Sequence, residues 1–321
     1  METMGRECRM TSVEGRVRVR ARRQYPLFAY LCILPAVLFA AVFLYYPSLS
    51  AVAHAFTDWD GASAPVFIGM QNFRQMVSDP EMQVGFANVL KITAFAVAVE
   101  LTIPLAVAKL VLVLRSTRFQ LLARVLFLVP LIVPQVVIYL LWEFIYDPNI
   151  GLLNSTLSHL HIGGAVDWLG DPSIALYAIM ATGAGVVAPF PFIDGFALLI
   201  FTAGLQAIPH EVLEAAQLDG ASAFVRFWRI EVPLILGQLR LMSILTIVAS
   251  IQQYTAVLIL TGGGPGFATY VPGFSMYYNA FYYNHMGYAC AIGTALFGVI
   301  LILTVINFRF LRPSTDFDAS E

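Results

Sequence analysis

Six stretches of this chain are long and apolar enough to cross a lipid bilayer, and no other feature restricts its fold as strongly. They lie near 27–47, 86–113, 124–146, 173–205, 234–260 and 287–310, each at or above the roughly 20 residues a helix needs to traverse the hydrocarbon. With no water in the hydrocarbon to satisfy peptide groups, a segment must bond its backbone internally, which predicts helices here. The expectation is an all-α integral membrane protein with six transmembrane helices. Composition agrees: 59% of the 321 residues are hydrophobic and 12% charged, far from the balance of soluble domains. The run from Leu27 to Tyr46, followed by Ala51 and Ala53, looks like a secretion signal, but it is long enough to span and five further spans follow.

Charge supplies an orientation. Six spans place both termini on one side of the membrane. Arg16, Arg18, Arg20, Arg22 and Arg23 precede the first window, Arg115, Arg118 and Arg124 flank the second and third, Arg226, Arg229 and Arg240 flank the fourth and fifth, and Arg309 and Arg312 close the last. Basic loops stay in the cytoplasm, so these segments and both termini are read as cytoplasmic. The other loops carry Asp58, Asp60, Asp79, Glu81, Asp147, Asp167 and Asp171, with Arg74 as the main basic residue, and are read as outward-facing. Trp59, Trp142 and Trp168 fall near the interfaces as aromatic anchors. The basic N-terminal run stops where the first span starts, as a membrane anchor does and a nucleic-acid arm need not. The chain divides into a basic cytoplasmic tail (1–23) without structure of its own, a six-span membrane domain (24–312) and a short cytoplasmic tail (313–321).

No site for a metal or cofactor emerges. Cys8, Cys32 and Cys290 have no ligand spacing, and His54, His159, His161, His210 and His285 sit in loops or at span edges without a third ligand nearby. No phosphate-binding glycine loop ending in Lys-Ser/Thr is present, so ATP chemistry has no home on this chain.

The most informative loop lies between the fourth and fifth windows. It runs Ile208-Pro209-His210-Glu211-Val212-Leu213-Glu214-Ala215-Ala216-Gln217-Leu218-Asp219-Gly220-Ala221 and continues to Phe227-Trp228-Arg229-Ile230-Glu231-Val232-Pro233. Pro209 suits a helix start and Gly220 a helix stop, and Ser222 suits the cap of a second short helix bringing Phe224, Phe227 and Trp228 toward the membrane. The paired alanines keep the first helix's surface low enough for close approach by another backbone. Glu214-Ala215-Ala216, three residues, Gly220, nine residues, Ile230 and then Pro233 resembles the EAA loop of binding-protein-dependent ABC importer permeases, with Val232 where the family usually has Leu. An ordinary amphipathic interfacial helix is the alternative for the same residues.

Further residues resemble the carbohydrate branch of that family, which includes the maltose-oligosaccharide and glycerol-3-phosphate permeases. They are Leu260-Thr261-Gly262-Gly263-Gly264-Pro265-Gly266, Tyr46-Pro47, Phe56-Thr57-Asp58-Trp59, Gly69-Met70-Gln71-Asn72-Phe73 and Gly151-Leu152-Leu153-Asn154. The resemblance implies a type I ABC importer permease fold with a cytoplasmic coupling helix. Glu214, Ala215, Ala216, Asp219, Gly220 and Ala221 would then form the surface docked on an ATPase subunit. It also implies the partners: a second homologous permease chain, two ATP-binding subunits carrying Mg-ATP, an extracytoplasmic solute-binding protein and membrane lipid, with no nucleic acid. Cargo would be a sugar or related polyol moved by alternating access. An ion-coupled secondary transporter is the competing class, and it calls for intramembrane charge pairs or inverted repeats.

Polar residues inside the spans are the candidates for a substrate path. Gly183, Gly185, Pro189, Pro191 and Gly195 interrupt the fourth window, which predicts a broken helix lining a cavity. The run from Pro189 to Phe196 departs there from the family's usual Trp and Pro-Phe pair. Asp194 beside this break fits either a sugar-hydroxyl acceptor or a structural bond to the broken backbone. Gln252, Gln253 and Tyr254 in the fifth window offer amides and a ring for a sugar, or interhelical hydrogen bonds. Glu100 and Lys109 are too far apart along one helix to pair. Glu100 reads as an interhelix or intersubunit hydrogen-bonding residue, and Lys109 as a snorkelling side chain.

Overall fold

The computed structural model describes residues 26–185 and 192–310. The arginine-rich tail with Cys8, the residues Pro189 to Pro191 of the predicted break, Arg312 and the tail 313–321 lie outside the described residues. The chain falls into two units divided after Leu49.

Helix α1 (Pro26–Ala40) passes through a π turn, Ala41–Tyr45, into α2 (Tyr46–His54). Tyr30, Leu38, Phe43 and Leu49 are all exposed. A helix that is apolar all round needs lipid or a partner around it.

The second unit opens with a small antiparallel pair, β1 (Thr57–Asp58) with β2 (Val66–Phe67), and helix α3 (Gln71–Ser78). Then comes α4 (Pro80–Val113), whose 34 residues extend about 50 Å at 1.5 Å per residue. Asp79 starts it by accepting from the Glu81 N–H at 2.9 Å, with Pro80 in the first turn where no N–H is needed. Its buried stripe, including Met82, Val89, Ile92, Ala96, Leu105 and Ala108, runs nearly end to end.

The third window differs from expectation. Helix α5 (Thr117–Leu128) and a 3₁₀ turn, Val129–Ile132, meet α6 (Gln135–Ile145) at a bend of 87° rather than forming one straight span. Pro134 is the cause: it holds Val133 extended, at φ −76° and ψ 125°, and offers no N–H to the turn before it.

After α7 (Leu152–His159), the fourth window is broken as predicted, with α8 (Ala175–Ala181) and α9 (Gly195–Gln206) as separate helices. The loop forms α10 (His210–Leu218), α11 (Ala223–Arg226), a π turn at Phe227–Glu231 and the short α12 (Val232–Leu234). The fifth span is α13 (Leu236–Ile251) and α14 (Thr255–Leu260), interrupted at Gln252–Tyr254. Helices α15 (Pro272–Phe281) and α16 (Met286–Phe310) complete the unit. Among the described residues, four helical runs are long and apolar enough to cross a membrane by themselves, and up to six if each bent pair counts as one span.

Helix α4 is the spine, packing on α13 and α9. At one end, Val89 and Ile92 join Ile251, Val257, Phe274 and Ile292 in one apolar cluster. Toward the other, Leu105 and Ala108 join Leu198, Phe201, Ile235 and Leu239 in a second. This second cluster forms the floor on which the loop helices sit.

Candidate functional site

The loop helix α10 is locally determined. Its start follows Pro209, and its end is closed by Gly220 at φ +77°. The Ala221 N–H reaches the Ala216 carbonyl and the Gly220 N–H reaches that of Gln217, both at 3.0 Å. That pair of bonds is the Schellman closure, which satisfies the last helical carbonyls and favours glycine at the left-handed position. The Ser222 hydroxyl caps α11 by accepting from the Val225 N–H at 3.3 Å, as predicted.

The residues singled out by sequence separate into two faces. Glu214, Ala215, Asp219 and Gly220 are exposed, and Ala221 is half-buried. Ala216 turns the other way and is only 5% exposed. Leu213, Phe227 and Val232 press on the second apolar cluster. Phe227 therefore packs inward, and Phe224 and Trp228 are exposed. Sequence reading passed over Leu218, which is 89% exposed on the same face as Glu214 and Ala215. The helical spacing of 214, 215 and 218 held that information, since an apolar residue four positions from Glu214 shares its face.

Beneath the loop lies a contact that the sequence did not announce. Lys109, expected to snorkel, instead donates to one carboxylate oxygen of Glu231, and Arg226 Nε donates to the other at 3.2 Å. The Lys109 ammonium also stands 5.9 Å over the Phe227 ring.

Asp194 is the N-cap of α9. Its carboxylate accepts from the N–H groups of Phe196 at 2.9 Å and Ala197 at 3.3 Å, and the residue is 1% exposed. Of the two readings, the bond to the broken backbone is the one the geometry carries. Asp194 also meets Glu100 of α4, in keeping with the interhelix role read for Glu100. The fully buried Glu100 side chain meets that of Asp194, so the two carboxyl groups share a side-chain hydrogen bond that needs a proton on one of them. Two measurements follow. Asp194→Ala strands the N–H groups of Phe196 and Ala197, the second of them buried, and is expected to destabilise the chain by about 2 kcal/mol, whereas Asp194→Asn keeps an acceptor and loses less; thermal unfolding of the detergent-solubilised protein reads both. Glu100→Gln keeps the shape and a donor toward Asp194, so its Tm is expected to hold, whereas Glu100→Leu removes the donor and is expected to lower it; an unchanged Tm in Glu100→Leu would contradict the facing carboxyl groups.

In the fifth span, Gln253 donates to the Tyr139 hydroxyl on α6 and its oxygen accepts from the Thr255 N–H at 3.0 Å. It is thus tied into the helix break. Gln252 stays exposed, and Tyr254 stacks on Tyr277 with centroids 5.5 Å apart. The break itself was missed, because no Gly or Pro marks it.

The glycine run lies at the opposite end of α4 from the loop. Gly262, Gly263 and Gly266 all have positive φ, and the Asn88 amide of α4 fastens the segment by donating to the Ala268 and Tyr270 carbonyls at 2.9 and 3.1 Å. A Cβ on Gly263 would come within 3.1 Å of the Phe274 and Tyr270 rings. Here a cleft of about 550 Å³ is lined by Asp79, Glu81, Tyr270, Tyr278 and Tyr288, among others. Burial pushes the Tyr270 hydroxyl above its ordinary titration range. The acidic loop residues are engaged in local turns: Asp60 accepts from Ala62 and Ser63, Asp147 from Asn149 and Ile150, and Asp171 from Ser173. Those bonds hold all three carboxyls below the usual range, Asp60 at about 2.

Comparison with known proteins places this geometry. The chain is 31% identical to the trehalose/maltose transport system permease protein MalF of Thermococcus litoralis, over 89% of this chain and 94% of that protein. It is 30% identical to the diacetylchitobiose uptake system permease protein NgcF of Streptomyces coelicolor, over 97% of this chain and 90% of that one. Among solved structures, a chain of a bacterial ABC transporter involved in import of the acidic polysaccharide alginate superimposes with a TM-score of 0.74 at 18% identity, covering 90% of this chain and 96% of that chain. The family model for the binding-protein-dependent transport system inner membrane component matches residues 101–314. This reaches from the middle of α4 through the loop helices to the end of α16, and the chain belongs to that family of membrane permease components.

Proposed function

We propose that this chain is one of two permease subunits of an ATP-driven importer for a sugar or related polyol. The observation that carries the reading is α10, a short helix closed by Gly220, seated on an apolar floor and presenting Glu214, Ala215, Leu218 and Asp219 outward. A rigid helix on a packed base transmits a push to the spans beneath it. On this reading Glu214, Ala215, Asp219 and Gly220 touch the ATPase subunit. Ala216 and Ala221 support the helix from below and at its exit.

The loop side is cytoplasmic, with both termini, and the glycine-run end faces outward in the inner membrane. Two ATP-binding subunits with Mg-ATP supply the driving force, and an extracytoplasmic binding protein delivers the cargo. A homologous permease completes the path, which the spans open alternately to either side. Gln252 and Tyr254 are the path residues still free to meet a sugar, and Asp194 acts by holding α9. Sugars named for relatives, including maltose, trehalose and diacetylchitobiose, are reasonable first cargo.

The test is uptake of those labelled sugars into proteoliposomes holding both permeases, the ATPase subunits and the binding protein. Uptake is expected only with internal ATP. Uptake by this chain alone, driven by an ion gradient, would overturn the reading in favour of a secondary transporter.

A further inference from the structure

Glu231 is only 2% exposed, yet it carries a charge and sits in a π turn between the loop helices and α13. Its two oxygens are divided between two cations. One is Arg226, from the same loop hairpin; the other is Lys109, which lies 122 residues away on α4. The three side chains are unequally exposed, with Lys109 at 29%, Arg226 at 19% and Glu231 at 2%, so the carboxylate lies innermost. Phe227 lies under the Lys109 ammonium and closes one side.

Taking a carboxylate out of water costs several kcal/mol, and well-packed apolar residues hold two helices together as well or better. Adhesion alone therefore does not account for the arrangement. A hydrogen-bonded ion pair supplies fixed geometry: it holds the hairpin in one position and direction relative to the neighbouring helix. Apolar contacts around it, such as those of Leu213 and Val232 on the second cluster, permit sliding that the pair does not. The π turn places Glu231 at the foot of the hairpin, and Lys109 lies one turn from the end of α4, which reaches back to the glycine-run end of the bundle. The pair thus joins the loop to α4, which contributes, as α13 also does, to both apolar clusters.

We propose that Glu231 is a positioning residue that locks the loop hairpin to α4 through Lys109, so that movement of α10 becomes movement of α4. This rests on the reading of α10 as the helix that receives the ATPase stroke.

The test uses the assembled transporter in lipid nanodiscs, with Cys8, Cys32 and Cys290 replaced by serine and an environment-sensitive fluorophore on Gln83→Cys. That position is exposed near the far end of α4, so the dye reports whether motion arrives there. ATP with vanadate is expected to change the signal in the parent complex. Glu231→Gln and Lys109→Met are each expected to reduce that change about fivefold or more, while ATPase subunits still co-purify. Lys109→Arg, which keeps charge and donor, is expected to retain it. Because a single variant leaves a buried charge and can compromise folding, Lys109→Met/Glu231→Met provides an apolar replacement of similar volume; it is expected to assemble and still lose the signal. A full signal in Glu231→Gln or in the double variant, with ATPase subunits bound, would overturn the proposal. Failure of the underlying reading looks different: Gly220→Trp would then leave ATPase binding intact, whatever the Glu231 variants do.

Discussion

Gly220→Trp is expected to strip the ATPase subunits from the complex and abolish ATP-dependent uptake, while the chain itself remains folded in the membrane. Two effects of the substitution can be separated. Gly220 has φ +77°, and a residue with a side chain pays about 1–2 kcal/mol to adopt that conformation. Within the chain that is nearly all it meets, because a Cβ built there finds no atom within 4 Å. Among the described residues the space around a Cβ at Gly220 is open, so an indole placed there is directed at whatever docks on α10. If the docking cleft is as closely packed as protein interiors, the intruding ring costs about 2–3 kcal/mol, a weakening of roughly 30- to 150-fold. Gly220→Asn is the control for backbone strain, since asparagine tolerates the left-handed region and is small. Asn is expected to retain most of the ATPase association and Trp to lose it, as read by co-purification on a tag carried by this chain. Equal retention by both would remove α10 from the docking surface.

The loop was legible in the sequence because its determinants are local. Pro209 and Gly220 punctuate α10, and Ser222 caps α11, all within 14 residues of one another. The spans were legible from hydropathy, which averages over windows and is therefore blind to bends. The turn at Pro134 went unnoticed, although Pro130 and Pro134 both lay inside a window read as one straight span. The interruption at Gln252–Tyr254 carries no such residue; Gln253 reaches Tyr139, 114 positions away, and that tertiary bond helps hold the break. Lys109 with Glu231, and Glu100 with Asp194, are likewise meetings between distant segments. Each half of such a pair looks anomalous alone, a charge within an apolar helix, and only the packing of α4 against its neighbours supplies the partner. Reading Lys109 as a snorkelling side chain failed for this reason.

Packing at the start of α9 sets the second large effect. Gly195 entered the sequence reading as one of several helix breakers, but its backbone is ordinary and what constrains it is proximity. A Cβ there would lie 2.4 Å from the Phe127 carbonyl oxygen, 2.8 Å from its carbon and 2.9 Å from the Leu128 Cα. All three atoms belong to the backbone of α5, so no side chain can rotate away, and α9 would have to lift off α5. Gly195→Val is therefore expected to cost about 3 kcal/mol, at the upper end of the range for overpacking, and to lower the Tm by roughly 6–12 °C. Gly298 in α16 is the contrasting case: a Cβ there meets nothing within 4 Å, and Gly298→Ala is expected to leave the Tm unchanged or raise it by the helix-propensity gain of up to about 1 kcal/mol. An unchanged Tm in Gly195→Val would mean that α5 and α9 stand farther apart than the geometry has them. A large fall carries a mechanical consequence, because α9 runs through Ala207 and Ile208 directly into α10. A helix held this closely at one end and joined to the loop at the other cannot shift by itself, so the loop, α9 and α5 must move together.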